Sequence, residues 1–105
     1  MSTATNTKIK TAQDDFNSRL SELRGEIDGV DEAILKLLAQ RREISLQMAQ
    51  LKNSYHIPLR DIPREKELFE NRVAIGEEQG LDRSYVEEVF FTVLNDSRRY
   101  QKKEV

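Results

Sequence analysis

The side chains able to do chemistry are cations, carboxylates, amides and hydroxyls, and several stand where apolar residues belong. Arg41 occupies one position of an otherwise apolar series, between Leu37 and Ile44. A buried guanidinium there must be satisfied, either by an ion pair that sets the helix register or by a bound anion. Lys52 follows eleven residues later, which at about 100° per residue places it within about 20° of Arg41 on one helix face. Ser97 and Gln101 likewise prolong the stripe Val86, Phe90, Val93 with a hydroxyl and an amide. They mark either a polar lining or the polar end of a terminal helix. Arg64 and Glu65 share the first turn of a helix, where the dipole favours a carboxylate but not an Arg. Arg24 lies about 100° around its helix from Arg41, so the two cannot easily grip one ligand within a chain. Across an antiparallel pair of chains they could.

With no Cys and the single His56, no thiolate or histidine metal cluster can form. His56 itself reads as a surface residue of a loop. Glu77-Glu78 and Arg98-Arg99 read as solvated faces, with Arg98 next to Ser97. What remains is an inventory for holding a small polyanion, with neither a nucleophile–base pair nor a metal or cofactor expected.

The elements that must position these residues are helices. The chain has 105 residues, 17 Lys plus Arg against 19 Asp plus Glu, and a net charge of -2. That is one small domain without the basic field that nucleic-acid binding requires. No apolar run reaches the roughly 18 residues of a membrane span, and no secretory signal pattern is seen. A soluble cytoplasmic protein is the expectation. Residues 1–13 are small and polar and read as a flexible tail, with the helical domain at 14–105.

From Phe16 the positions Leu20, Leu23, Ile27, Val30, Ile34, Leu37, Arg41, Ile44, Met48 and Leu51 alternate steps of four and three. This is a heptad seam, on a helix from about Asp14 to Asn53. Such a helix is about 60 Å long, whereas a compact domain of about 100 residues has a radius of gyration near 13 Å. A partner chain is expected to cover it. Ser54–Pro63 holds both prolines and reads as a loop. Asp61 and Pro63 start a second helix, about 63–79, burying Leu68, Phe69, Val73 and Ile75 and stopped by Gly80. Asp82 caps a third. The fold class is all-α, with three helices, one very long.

The segments LRGEIDGVDEAILKLLAQRREIS (23–45), Lys52, PLRDIPREKEL (58–68), Ser97 and Gln101 resemble, in order and spacing, the AroQ-class helical chorismate mutases. The likeness covers about residues 16–101. It implies an intertwined helical homodimer that rearranges chorismate to prephenate in aromatic amino acid biosynthesis. By position, it implies that Arg41 and the partner's Arg24 hold the two carboxylates of the substrate, with Ser97 assisting. Lys52 and Gln101 would donate to the ether oxygen, and Glu65 with the Asp61 region would receive the ring hydroxyl. Arg64 would complete the wall. Relatives acting on 4-amino-4-deoxychorismate or isochorismate would use the same clamp, and Arg98 and Tyr100 are where substrate preference would be altered. A non-catalytic dimerisation module would explain the heptads, but not the polar interruptions. Feedback control by aromatic amino acids within this chain is not expected.

Overall fold

The structure, a computed structural model, describes residues 11–104. They form three helices and no strand: α1 Ala12–Ser54, α2 Ile62–Glu78 and α3 Arg83–Glu104. The all-α class and the order of the helices are as expected. Most of the expected tail, 1–13, lies outside the described residues, but Ala12 and Gln13 are already helical. The reason is a reciprocal cap. The Thr11 hydroxyl accepts from the Asp14 amide at 3.0 Å, and the Asp14 carboxylate accepts from the Thr11 amide at 3.2 Å, so two otherwise unpaired donors are satisfied together.

Just past the end of α1, the stop is His56, expected only to be a surface residue of the loop. His56 has φ 57°. Its amide donates to the Asn53 carbonyl at 3.2 Å, and the Ile57 amide donates to the Lys52 carbonyl at 2.8 Å. This is the bonding of a left-handed helix stop, a place usually taken by glycine. Gly80 does the same for α2, with φ 81° and bonds from its own amide to Glu77 and from Leu81 to Gly76. α2 begins as expected, with Asp61 accepting from the Arg64 amide at 3.0 Å and Pro63 in the first turn.

The chain divides between Leu37 and Leu38 into two compact units. The first contains the N-terminal part of α1, with ion pairs Arg19–Glu22 at 3.0 Å and Glu32–Lys36 at 3.1 Å. Its seam residues Phe16, Ile27, Val30 and Leu37 are each more than half exposed. The second unit has a core of Ala49, Leu68, Val73, Val86 and Leu94. Here α1 turns Ser45 and Ala49 inward, while the seam residues Ile44, Met48 and Leu51 stay about half exposed or more.

Two expected core residues are corrected, Phe69, which is only partly buried, and Ile75. Ile75 is 49% exposed, and Gly76 is buried in its place. A side chain at Gly76 would run into Val86, so the missing Cβ lets α3 start directly against α2. The contact face of α2 thereby passes through Val73 and Gly76, leaving Ile75 to one side.

Candidate active site

In the second unit the three helices surround a cleft of about 250 Å³. Arg41 and Lys52 come to it from α1, Glu65, Leu68 and Arg72 from α2, and Leu94, Ser97, Arg98 and Gln101 from α3. Periodicity explains the arrangement. Leu68 and Leu94 are buried, and Glu65 and Arg72 on α2, with Ser97 and Gln101 on α3, stand at helical spacing from them on the same faces.

Arg41 Nη1 donates to the Ser97 hydroxyl at 2.7 Å, and Ser97, itself buried, donates onward to the Val93 carbonyl at 3.3 Å. Of the two readings of Arg41, the register-setting ion pair is therefore not observed at this residue. That pair sits one position along: Arg42 grips Asp96 through Nε at 3.0 Å and Nη2 at 2.6 Å, and stacks 4.0 Å from the Tyr100 ring centre. Arg41 is held below the usual arginine value by burial first and then by the like charge of Arg72, with Asp96 opposing. The loss of water and the facing cation both favour a negative partner in the cleft.

Lys52 donates to the Leu59 carbonyl at 3.1 Å, which ties the last turn of α1 to the loop and leaves two ammonium N–H bonds for other acceptors. The Gln101 amide donates to the Ser45 hydroxyl at 2.9 Å and to the Ser45 carbonyl at 3.3 Å. Ser45 is a buried residue that sequence reasoning missed. Its signal was its place on the α1 face between Arg41 and Lys52. Ser97 and Gln101 are thus bonded to α1 and are not a frayed end.

Glu65 is half-buried and receives two bonds on Oε1 from Arg98, at 3.1 Å from Nε and 2.9 Å from Nη2. Arg60 lies 3.4 Å from each carboxylate oxygen. Burial pushes the Glu65 carboxyl up, but the bonds and charges of Arg98 and Arg60 together outweigh it and hold it below the usual glutamate range. Arg98 is accordingly not a purely solvated residue. Asp61 lines the cleft with its carboxylate engaged as the α2 cap. Arg64 also lines it, while pairing with Glu67 at 3.0 Å.

Seven of the eight expected site residues therefore line one cleft: Arg41, Lys52, Asp61, Arg64, Glu65, Ser97 and Gln101. The eighth, Arg24, belongs to the first unit and is exposed. Arg72 is the cation that sequence reasoning passed over. It stands one helical turn past Leu68 on the face that carries Glu65, with its guanidinium 5.9 Å from the Phe90 ring centre. Five cationic side chains line the cleft against two carboxylates.

A three-helix fold with a cation-rich cleft built from all three helices defines a class of helical proteins suited to small polyanions. The family model for chorismate mutase type II matches residues 23–102, a span that includes all eight expected positions. The chain belongs to the chorismate mutase type II family. It is 41% identical over 78 residues to a bifunctional chorismate mutase/prephenate dehydratase of Enterobacter agglomerans, covering 74% of this chain and 20% of that protein. The corresponding bifunctional protein of Escherichia coli K12 is 38% identical over the same shares. A chorismate mutase of Methanocaldococcus jannaschii is 31% identical over 85 residues, covering 81% of this chain and 86% of that protein. The chain thus spans about one fifth of these bifunctional relatives and most of the Methanocaldococcus jannaschii protein.

Proposed function

We propose that the chain catalyses the unimolecular rearrangement of chorismate to prephenate in aromatic amino acid biosynthesis, as a soluble cytoplasmic homodimer without metal or cofactor. The observation that carries this reading is the convergence of Arg41–Ser97, Lys52, Gln101–Ser45 and Glu65 on one cleft.

A pericyclic step needs no nucleophile and no proton transfer. The protein has to hold a compact substrate conformer and stabilise charge as it develops. Arg41 and Ser97 hold one carboxylate, with Arg72 adding positive charge, and Arg24 of the partner subunit holds the other. Lys52 and Gln101 donate to the ether oxygen, whose negative charge grows as the carbon–oxygen bond breaks. Their bonds therefore strengthen toward the transition state, which is what raises turnover. Glu65, beside the Asp61 turn, accepts the ring hydroxyl, and Arg64 closes the wall.

The dimer is supported by the exposed seam. Contiguous apolar surface of this extent normally marks an interface, and Phe16, Ile27, Val30 and Leu37 present it at heptad spacing. An apolar depression at Phe69 and Phe91 in the second unit offers further surface for a second copy.

The test is turnover of chorismate by purified protein in the presence of a chelator, with the product identified by NMR and the assembly by sedimentation. Prephenate from a dimer is expected. Failure of a folded dimer to turn over chorismate refutes the assignment. A transition-state analogue at about 100 times its Kd should also stabilise the protein by about 2.7 kcal/mol, an effect that a non-catalytic scaffold would lack.

A further inference from the structure

The hold of Arg98 on Glu65 has a chemical consequence beyond tying two helices together. Both Arg98 contacts and one Arg60 contact fall on Oε1, while Oε2 has only Arg60 Nη2 at 3.4 Å. A carboxylate offers about four acceptor positions. Oε1 is thus occupied, and Oε2 remains the atom able to receive a ligand. Arg98 is fixed in turn by Asn95, which accepts from Nη1 at 3.2 Å. A ligand group approaching Oε2 therefore meets a trio of one carboxylate and two guanidiniums, with a net charge of about +1 when all three are ionised. A hydroxyl can donate to Oε2 without regard to that charge. An ammonium would be attracted by Glu65 and repelled by both Arg98 and Arg60.

We propose that Arg98, backed by Arg60, is a specificity-determining residue that makes Glu65 accept a neutral hydroxyl and discriminate against an ammonium at the same place on the ligand. The inference rests on the reading of the cleft as a chorismate-type dicarboxylate site. The cleft's wider charge agrees with it, since five cations against two carboxylates suit a ligand carrying two negative charges and no positive one.

A merely structural ion pair would behave differently, and the protein contains a control. Arg83 on α3 pairs with Glu70 on α2 at 2.7 Å, and neither residue lines the cleft. The experiment compares kcat/KM for chorismate and for 4-amino-4-deoxychorismate in the wild type, Arg98→Gln, Arg98→Lys, Arg60→Gln and Arg83→Gln. The wild type is expected to prefer the hydroxyl substrate. Removing one of two like charges facing an ammonium should move the ratio toward the amino substrate by at least about tenfold in Arg98→Gln. The shift should be smaller in Arg60→Gln, whose guanidinium is more exposed and better screened. Arg98→Lys should retain most of the preference, and Arg83→Gln all of it.

Equal losses for both substrates in Arg98→Gln would overturn the inference and leave the site reading intact, as would a wild-type preference for the amino substrate. Should Arg98→Gln fail to fold, an unchanged ratio in Arg60→Gln would overturn it. Wild-type turnover of neither substrate would overturn the underlying reading and the inference with it.

Discussion

Removal of the Lys52 ammonium separates the chemical role of this residue from its structural one. In the structure it makes one bond, to the Leu59 carbonyl at 3.1 Å. Losing one intramolecular hydrogen bond costs about 1 kcal/mol, which in a domain of this size lowers Tm by about 4–8 °C. Losing one preorganised donor aimed at a developing oxyanion costs about 2.7–4 kcal/mol, or about 10²–10³ in turnover. Lys52→Ala should therefore remain folded at assay temperature and lose at least about a hundredfold in kcat. Lys52→Met keeps the length of the stem without the charge and should fall equally far. A transition-state analogue should lose more affinity than the substrate, because the charge that Lys52 is proposed to meet is larger in the transition state. The assays are continuous loss of chorismate, a thermal melt, and titration with the analogue. Turnover within about threefold of wild type in either folded variant, against the hundredfold expected for a lost oxyanion donor, would refute the role.

Three further outcomes are expected. Gln101→Glu places a carboxylate where an amide now donates to Ser45; it should lose about a hundredfold at neutral pH and regain about tenfold per unit as the pH falls toward the pKa of the new carboxyl, whereas a flat profile would refute the donor role. Gly76→Ala drives a Cβ into the buried Val86, so overpacking of about 1–3 kcal/mol should outweigh a helix-propensity gain of about 1 kcal/mol; urea denaturation checks it, and a more stable variant would show that Val86 moves aside freely. Asp96, held low by its bonds from Arg42 against the opposing effect of burial, and Glu65, held low by Arg98 and Arg60, bind fewer protons in the native state than in the unfolded chain. Their stabilisation is complete above the ordinary carboxylate value of about 4 and fades as pH falls through the depressed native values. Arg42→Met should flatten that acid limb, and equal wild-type and variant slopes in urea midpoints between neutral pH and about pH 3 would refute the assignment.

The sequence made the helices legible because their signals are local. Asp61 with Pro63, and Gly80 at the end of α2, act within one turn. Most of the site was legible for a related reason, since a polar residue on an apolar stripe stands out against its neighbours. Arg41, Lys52, Ser97 and Gln101 all show that contrast. Arg72 and Ser45 do not, because Arg72 directly follows Asn71 in a strongly charged helix and Ser45 stands beside the heptad position Ile44 and not on it. Their helical spacing from Arg41, Lys52 and Glu65 is the one trace in the sequence that they face the cleft, and packing makes it plain. His56 was missed because left-handed stops are read from glycine, and a histidine in that conformation leaves no compositional trace. Ile75 was misplaced because helical periodicity assumes that every contact is made by a side chain. At Gly76 the contact is made by the absence of one.

The arrangement of donors also bears on how so small a cleft would catalyse the proposed rearrangement. Arg41 is held by Ser97, Gln101 by Ser45 and Lys52 by Leu59. Each donor group is held in place before a ligand arrives; Arg41 and Lys52 have N–H bonds beyond those their protein partners take, while Gln101, whose amide donates twice to Ser45, gives up one of those bonds to meet a ligand. The repulsion between Arg41 and Arg72 and the desolvation of Arg41 are present in the ligand-free protein. A dianion would relieve both, so part of the electrostatic stabilisation expected on binding is the removal of a penalty already built into the fold. For the proposed rearrangement this is the useful kind of organisation. The cations need little reorientation as charge moves onto the ether oxygen, and stabilisation that requires no reorganisation during the reaction lowers the barrier directly.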